Sequence, residues 1–217
     1  MPAEGHFLRL LGRSDLPDAD FQDILRDRGA RRYHAVRLAL AGHHRTPRSE
    51  ALALVATLFW RDLAHLSADT RVHPEVRRAA DRDLLRRIPE MALAERVDLA
   101  RTVGRGTLVV LRFDTDARVV AALLDNRFAT EPDVVQAAAR AATQAVLEVI
   151  AGHPRWSLRS AVRSALLRNP ALPLSLALAL LSRATREDLE GLRGMPGAPA
   201  LLRACAERVL ADRLARD

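Results

Sequence analysis

Arg168–Leu181 reads RNPALPLSLALALL, and Gly42–Val55 reads GHHRTPRSEALALV. The second stretch is a cousin of the first, 126 positions earlier in the chain. Set on Ala35-Val36-Arg37 against Ala161-Val162-Arg163, the match runs without a gap to Ile88 against Leu214. Its identities include Pro47/Pro173, Leu54/Leu180, Asp62/Asp188, Leu66/Leu192 and Leu84/Leu210. Val76 in PEVRRAADRDLL and Val119 in DARVVAALLDN stand in the same phase as Val36 and Val162, and Leu202 opens a fifth phrase. The steps between these anchors are 40, 43, 43 and 40 residues, and Pro47, Pro89, Pro132 and Pro173 follow the first four. That period belongs to helical solenoids. One unit of such a stack cannot bury its own apolar face, so the phrase recurs until neighbours bury one another.

Each unit reads as three short helices. The first carries the anchor, with apolar residues at helical spacing, as in Val76, Ala79, Ala80 and Leu84. It stops at breaks such as Asn169-Pro170, because proline disfavours helix in the residue before it. The second starts near the recurring proline, whose missing N–H costs nothing in a first turn. The third is shorter, and Thr185 with Asp188 predicts its cap in TREDLEGLRG. TLVVLRF, Thr107–Phe113, is the one stretch with strand character, although GTLVVLRFD also reads as the third helix of the second unit. The expected fold is all-α: a right-handed α-solenoid of about four three-helix repeats. Residues 30–217 form one continuous domain, and residues 1–29 an N-terminal capping segment whose helix is N-capped by Asp18. The last helix, 199–216, either caps the stack or offers its end to another copy. Its charges Arg203, Glu207, Arg208, Asp212 and Arg213 favour the cap.

Composition narrows the function classes. Of 217 residues, 49% are hydrophobic and only 4% aromatic, so the core must be packed from Leu, Ala and Val. The net charge is +7, which raises nucleic acid as a partner. All 34 basic residues are Arg, however, and Ile and Asn are scarce. A GC-rich genome produces that usage, which discounts the charge as a binding signal. Cys205 stands alone and excludes a disulfide framework and cysteine-rich metal or iron–sulfur sites. No stretch has signal-peptide or membrane-span length, so a cytoplasmic protein without membrane contact is expected.

PEVRRAA resembles the D/P-x-x-V-R-x-A-A phrase of HEAT and armadillo repeats, and the period agrees. AVRSALLRNPALPLSLALALL is similar to the leucine-rich repeat variant, a bacterial helical repeat. The resemblance covers roughly residues 30–217. It implies a scaffold with a binding surface more often than an enzyme. The variant repeat was described with an iron–sulfur segment, for which this chain has no ligands.

Reactive constellations are missing from the sequence. There is no phosphate-binding glycine loop; GRG, Gly104–Gly106, reads as a turn. Neither a Gly-x-Ser-x-Gly elbow nor HExxH is present. His43, His44, His65 and His73 are the best metal candidates, but the fourth unit has Asn169, Pro170, Gly191 and Pro199 there. No metal and no cofactor are expected. Asp114 with Asp116 and Asp81 with Asp83 are the carboxylate pairs; residues two apart on a helix do not face each other. Arg37, Arg77, Arg163 and Arg203 each follow an anchor, where the third unit has Val120. They form either a basic stripe for a partner or an internal row that bridges carboxylates and covers the core. Trp60 and Trp156 are candidate interface anchors or core fillers. The expected function is a non-enzymatic scaffold or adaptor that binds a protein on its concave face, with these four arginines and two tryptophans as partner-binding candidates. The alternative is a nucleic-acid binder, in the manner of the HEAT-like alkylpurine DNA glycosylases. Trp60 and Trp156 occupy different phases of their units, which counts against it.

Overall fold

The computed structural model describes residues 2–196 and 198–214. Among them every regular element is helical, fifteen α-helices and two 3-10 turns, with no strand. Contacts divide the chain into two compact units: residues 1–92 with 102–107, and residues 93–101 with 108–217.

The first unit contains α1 (Pro2–Leu11), α2 (Asp18–Arg26), α3 (His34–Gly42), α4 (Arg48–Val55), α5 (Trp60–Ala68) and α6 (Pro74–Arg87). Here α5 packs on α6, α3 on α4 and α1 on α3. Phe21, Leu40, Leu58, Leu63 and Leu84 fill its core. The helices that follow are α7 (Leu93–Thr102), α8 (Arg105–Leu111), α9 (Ala117–Leu124), α10 (Glu131–Arg140), α11 (Gln144–Gly152), α12 (Ser160–Leu167), α13 (Leu174–Leu181), α14 (Arg186–Arg193) and α15 (Ala200–Leu214). In the second unit α10 packs on α12, α9 on α11 and α14 on α15, around Leu99, Leu123, Leu124, Leu147 and Trp156.

Helices begin at His34, Pro74, Ala117, Ser160 and Ala200, and each buries its anchor. Val36, Val76, Val119, Val162 and Leu202 are all in the core. Pro47 and Pro173 stand at the N-caps of α4 and α13, Pro132 lies in the first turn of α10, and Pro89 sits in a 3-10 turn before α7. Thr185 and Asp188 close a reciprocal capping box on α14, as the sequence indicates.

The break after the first helix has a hydrogen-bonding reason. Asn169 is buried, and its amide donates to the carbonyls of Ala138 and Ala141 at 2.7 and 3.0 Å. Asn126, in the same phase one unit earlier, donates to Ala100 at 2.8 Å. In both, Oδ1 accepts the backbone N–H two residues on, at Ala171 and Phe128. A helix leaves its last carbonyls without intrahelical partners. Each asparagine supplies donors to the end of a preceding second helix and shapes its own turn.

Two local expectations are corrected, and the helix expected over GTLVVLRFD forms despite the strand character of its residues. Asp18 is not the N-cap of α2; Pro17 holds that place and Asp18 is the first helical residue. TLVVLRF is not extended: Thr107, Leu108 and Leu111 are buried at helical spacing within α8. GRG is more than a turn, because Gly106 lies inside α8. The start of α8 is held from outside, where Asp81 of α6 accepts from the Thr107 N–H and hydroxyl at 3.1 and 2.8 Å. This bond gives a first-turn N–H of α8 an acceptor from another helix. Helix α1 was not evident in the sequence at all.

Candidate functional site

Three of the four anchor arginines share one repeated geometry. Arg37 donates to the carbonyls of Arg31 and Arg32 at 3.0 and 3.3 Å. Arg163 donates to Ser157 and Leu158 at 3.3 and 2.8 Å, and Arg203 to Ala198 at 2.9 Å. Each guanidinium thus reaches back five or six residues to the chain entering its own helix. The Nε atoms of Arg37, Arg77, Arg163 and Arg203 are all buried without a hydrogen-bond partner, so the stems lie against apolar surface.

A second feature repeats with it. The third residue of each following short helix stands near the arginine. Arg163 lies 3.7 Å from Asp188, both buried. In the first copy, Arg37 touches His34 Nδ1 at 3.2 Å and His34 Nε2 bonds Asp62 at 2.6 Å. In the second, Asp81, which Arg77 attracts, bonds Thr107. In the third both members are apolar: Val120 and Val146 are buried, on packed helices α9 and α11. Both ring nitrogens of His34 are engaged, so the imidazole bridges Arg37 to Asp62 of α5.

Arginine also covers the aromatic rings. Guanidinium carbons lie 4.8 Å over Phe21 (Arg45), 4.9 Å over Trp60 (Arg61), 4.6 Å over Phe128 (Arg127) and 4.1 Å over Trp156 (Arg155). Phe113 carries two, Arg112 and Arg140. A planar guanidinium stacks on a ring as lysine cannot. Trp156 is 2% exposed and its indole donates to Leu124 at 2.8 Å, so it is placed as a core residue. Trp60 is half-buried at the start of α5, beside Phe59, which is 65% exposed and lies tilted against His34 with ring centroids 4.4 Å apart. The net charge is divided evenly. The first unit has 17 basic and 13 acidic residues, the second 17 and 14.

The carboxylate pairs are likewise engaged. Asp83 bridges Arg86 and Arg87, Asp114 holds Arg96 at 2.9 Å, and Asp116 caps α9. Burial pushes the Asp81 carboxyl above its ordinary range, against its bonds from Thr107 and the attraction of Arg77. A raised carboxyl contributes most below its unfolded value of 3.8, and that contribution is lost as pH rises through the folded value. Both Thr107 donors use the same oxygen, which an asparagine can present. Asp81→Asn is therefore expected to leave stability at neutral pH within about 0.5 kcal/mol of wild type or above it. Asp81→Ala strands a buried N–H and is expected to cost about 1–3 kcal/mol. Urea unfolding between acid and neutral pH separates the two.

The surface feature that remains is a groove of about 480 Å³ in the second unit, between α10, α12 and α14. Val135 and Ala139 form one wall, and Ser160, Ala161, Ser164 and Arg168 line the other, with Glu187 beside them. Small residues open it. At the positions of Ser160, Ala161 and Ser164, α6 has Pro74, Glu75 and Arg78, and an Arg48–Glu75 ion pair at 2.9 Å joins α4 to α6. Among the described residues neither Arg168 nor Glu187 is in an ion pair. Leu158, 66% exposed, stands just before α12. The small residues were visible in the sequence, but only a comparison of sibling helices marks them as a gap. A second hollow, about 440 Å³ in the first unit, is lined by His43, His44, His65, Asp69 and Arg71. Among the described residues no group of three or more His, Cys, Asp or Glu could hold a metal ion, and no helix is long and apolar enough to cross a membrane. No family model, curated protein or solved structure matches the chain.

Proposed function

We propose that this chain is a helical-repeat scaffold that binds a protein partner, and that the α10–α12–α14 groove is part of its binding surface. The reading takes the fold as a right-handed α-solenoid of about four HEAT- or armadillo-like units, as the sequence period suggests. The observation that carries it is the inward turn of the arginine row. Arg37, Arg163 and Arg203 turn back to donate to backbone carbonyls, which draws three of the four arginines away from a stripe that could track phosphates. What is left for a partner is an open groove of small side chains edged by Leu158, Arg168 and Glu187.

The test has two arms. Labelled duplex and single-stranded DNA and RNA, titrated by fluorescence anisotropy at near-physiological salt, should not bind at micromolar concentration. Tight binding with a steep salt slope would instead establish the nucleic-acid reading, because phosphate contacts release counterions. In the second arm a photo-crosslinking side chain at Ser164 should give a discrete protein adduct in cells. The adduct should disappear when Ala161→Trp fills the groove and persist with Ala53→Trp on the exposed face of α4. Persistence in both variants would remove the groove from the binding surface.

A further inference from the structure

Three histidines share one geometry. Nδ1 of His43 accepts the Arg45 N–H, Nδ1 of His73 that of Glu75, and Nδ1 of His153 that of Arg155, each at 3.2 Å. An imidazole used in this way is neutral, with its proton on Nε2. His43 differs from the other two in what its ring touches. Phe21 of α2 lies 4.7 Å from it and His44 stacks on it at 4.6 Å. Phe21 is 1% exposed and also lies under the Arg45 guanidinium. Arg45 in turn donates to the Leu16 carbonyl at 2.7 Å and pairs with Asp18. Helix α2 is thus fastened to the 43–46 turn by one aromatic ring, one carbonyl and one carboxylate, all dependent on the conformation of that turn.

The charges around His43 do not welcome a proton. His44 and Arg45 share its turn. On α2, Asp18 is already paired with Arg45, and Asp20 and Asp23 face solvent. Across the hollow stand His65, Arg71 and Asp69, and Asp69 pairs with Arg71 at 2.9 Å.

We propose that His43 is a proton-sensitive clasp: protonation at Nδ1 sets it against the Arg45 N–H, turns the ring off Phe21 and loosens α2 from an otherwise folded unit. Burial, with His44 and Arg45 as further causes, holds the imidazole below its ordinary value of 6.5. The fold therefore selects the neutral ring. The stabilisation is complete above 6.5 and is lost as pH falls from there through the folded value. Release would uncover Phe21, Ile24 and Leu25, an apolar face available to a partner only under mild acid.

Hydrogen exchange of α2 amides, corrected for intrinsic rates, tests this at about pH 7.5 and about pH 5. In the wild type, α2 protection should fall several-fold at the lower pH while α10, which has no histidine, holds steady. His43→Phe keeps the ring and removes the proton site, so its α2 protection should not change with pH. A pH-independent α2 in the wild type, or an equal fall in His43→Phe, would overturn the clasp. Should His43→Phe not fold, NMR titration of the wild-type imidazole decides: a value at or above 6.5 ends the proposal. The clasp does not depend on what the α10–α12–α14 groove binds.

Discussion

Gly104→Ala should lower stability by about 3 kcal/mol or more, a large share of the whole stability of a domain. A Cβ at Gly104 would sit 2.4 Å from the Ser67 carbonyl oxygen and 2.7 Å from its carbon. These are backbone atoms at the end of α5, so no rotamer change relieves the clash. The Gly104 N–H also donates to the Ser67 hydroxyl at 3.1 Å, which fixes the approach. Gly106→Ala meets the Asp81 carboxylate at 2.1 Å and should be costly as well. Because Asp81 is a side chain, shortening it relieves that clash. Gly106→Ala with Asp81→Ala should therefore cost less than the sum of the two single changes. Intrinsic preference argues the other way, since glycine within a helix is about 1 kcal/mol worse than alanine. The sign of the Gly106 effect thus separates tertiary contact from propensity. Thermal and urea unfolding of the variants measure both effects. An unchanged or raised midpoint for Gly104→Ala would mean that α5 and the start of α8 do not meet this closely.

The same glycines show where a sequence stops being legible. The anchors, the twin joints and the Thr185 cap depend on periodicity and short-range chemistry, and the valines, the asparagines and the capping box lie where that chemistry puts them. Gly104 and Gly106 act on Ser67 and Asp81, far away along the chain, so nothing local distinguishes a close approach from a turn. Helix α1 is hidden for a related reason. It is ten residues long and carries Gly5, too short to hold by itself, and it forms against α3, with Phe7 near Tyr33. The arginine positions were legible but their direction was not. A guanidinium on a long stem can turn outward to a phosphate or back to a carbonyl, and only the path of the preceding loop decides. Trp156 belongs to the same class, because its indole needs the Leu124 carbonyl that the fold brings to it.

Replacing Arg163 by Val should cost about 3–5 kcal/mol, and so should Asp188→Val, because each leaves a buried charge without its counter-ion. The double variant should lose markedly less than the sum, with a coupling of about 1–3 kcal/mol. The chain itself contains the precedent. Where Arg163 and Asp188 stand in the fourth copy, the third has Val120 and Val146, both buried, and its helices still pack. A buried ion pair and a well-packed apolar pair are close in free energy, whereas half of either is not. The double variant will not reach wild type. Arg163 also satisfies the Ser157 and Leu158 carbonyls, and Asp188 accepts the Thr185 N–H at 2.9 Å. In the third copy the Thr115 carbonyl, five residues before Val120 as Leu158 is before Arg163, accepts instead from the Thr143 hydroxyl at 3.4 Å. Additive losses in a double-mutant cycle would mean that the carbonyl bonds carry the whole effect and that the 3.7 Å approach to Asp188 is incidental. Strong coupling would make arginine plus acid, or valine plus valine, two interchangeable solutions to one internal joint. The row of arginines would then owe its spacing to packing, and the search for a partner would turn to the residues that the row leaves outside.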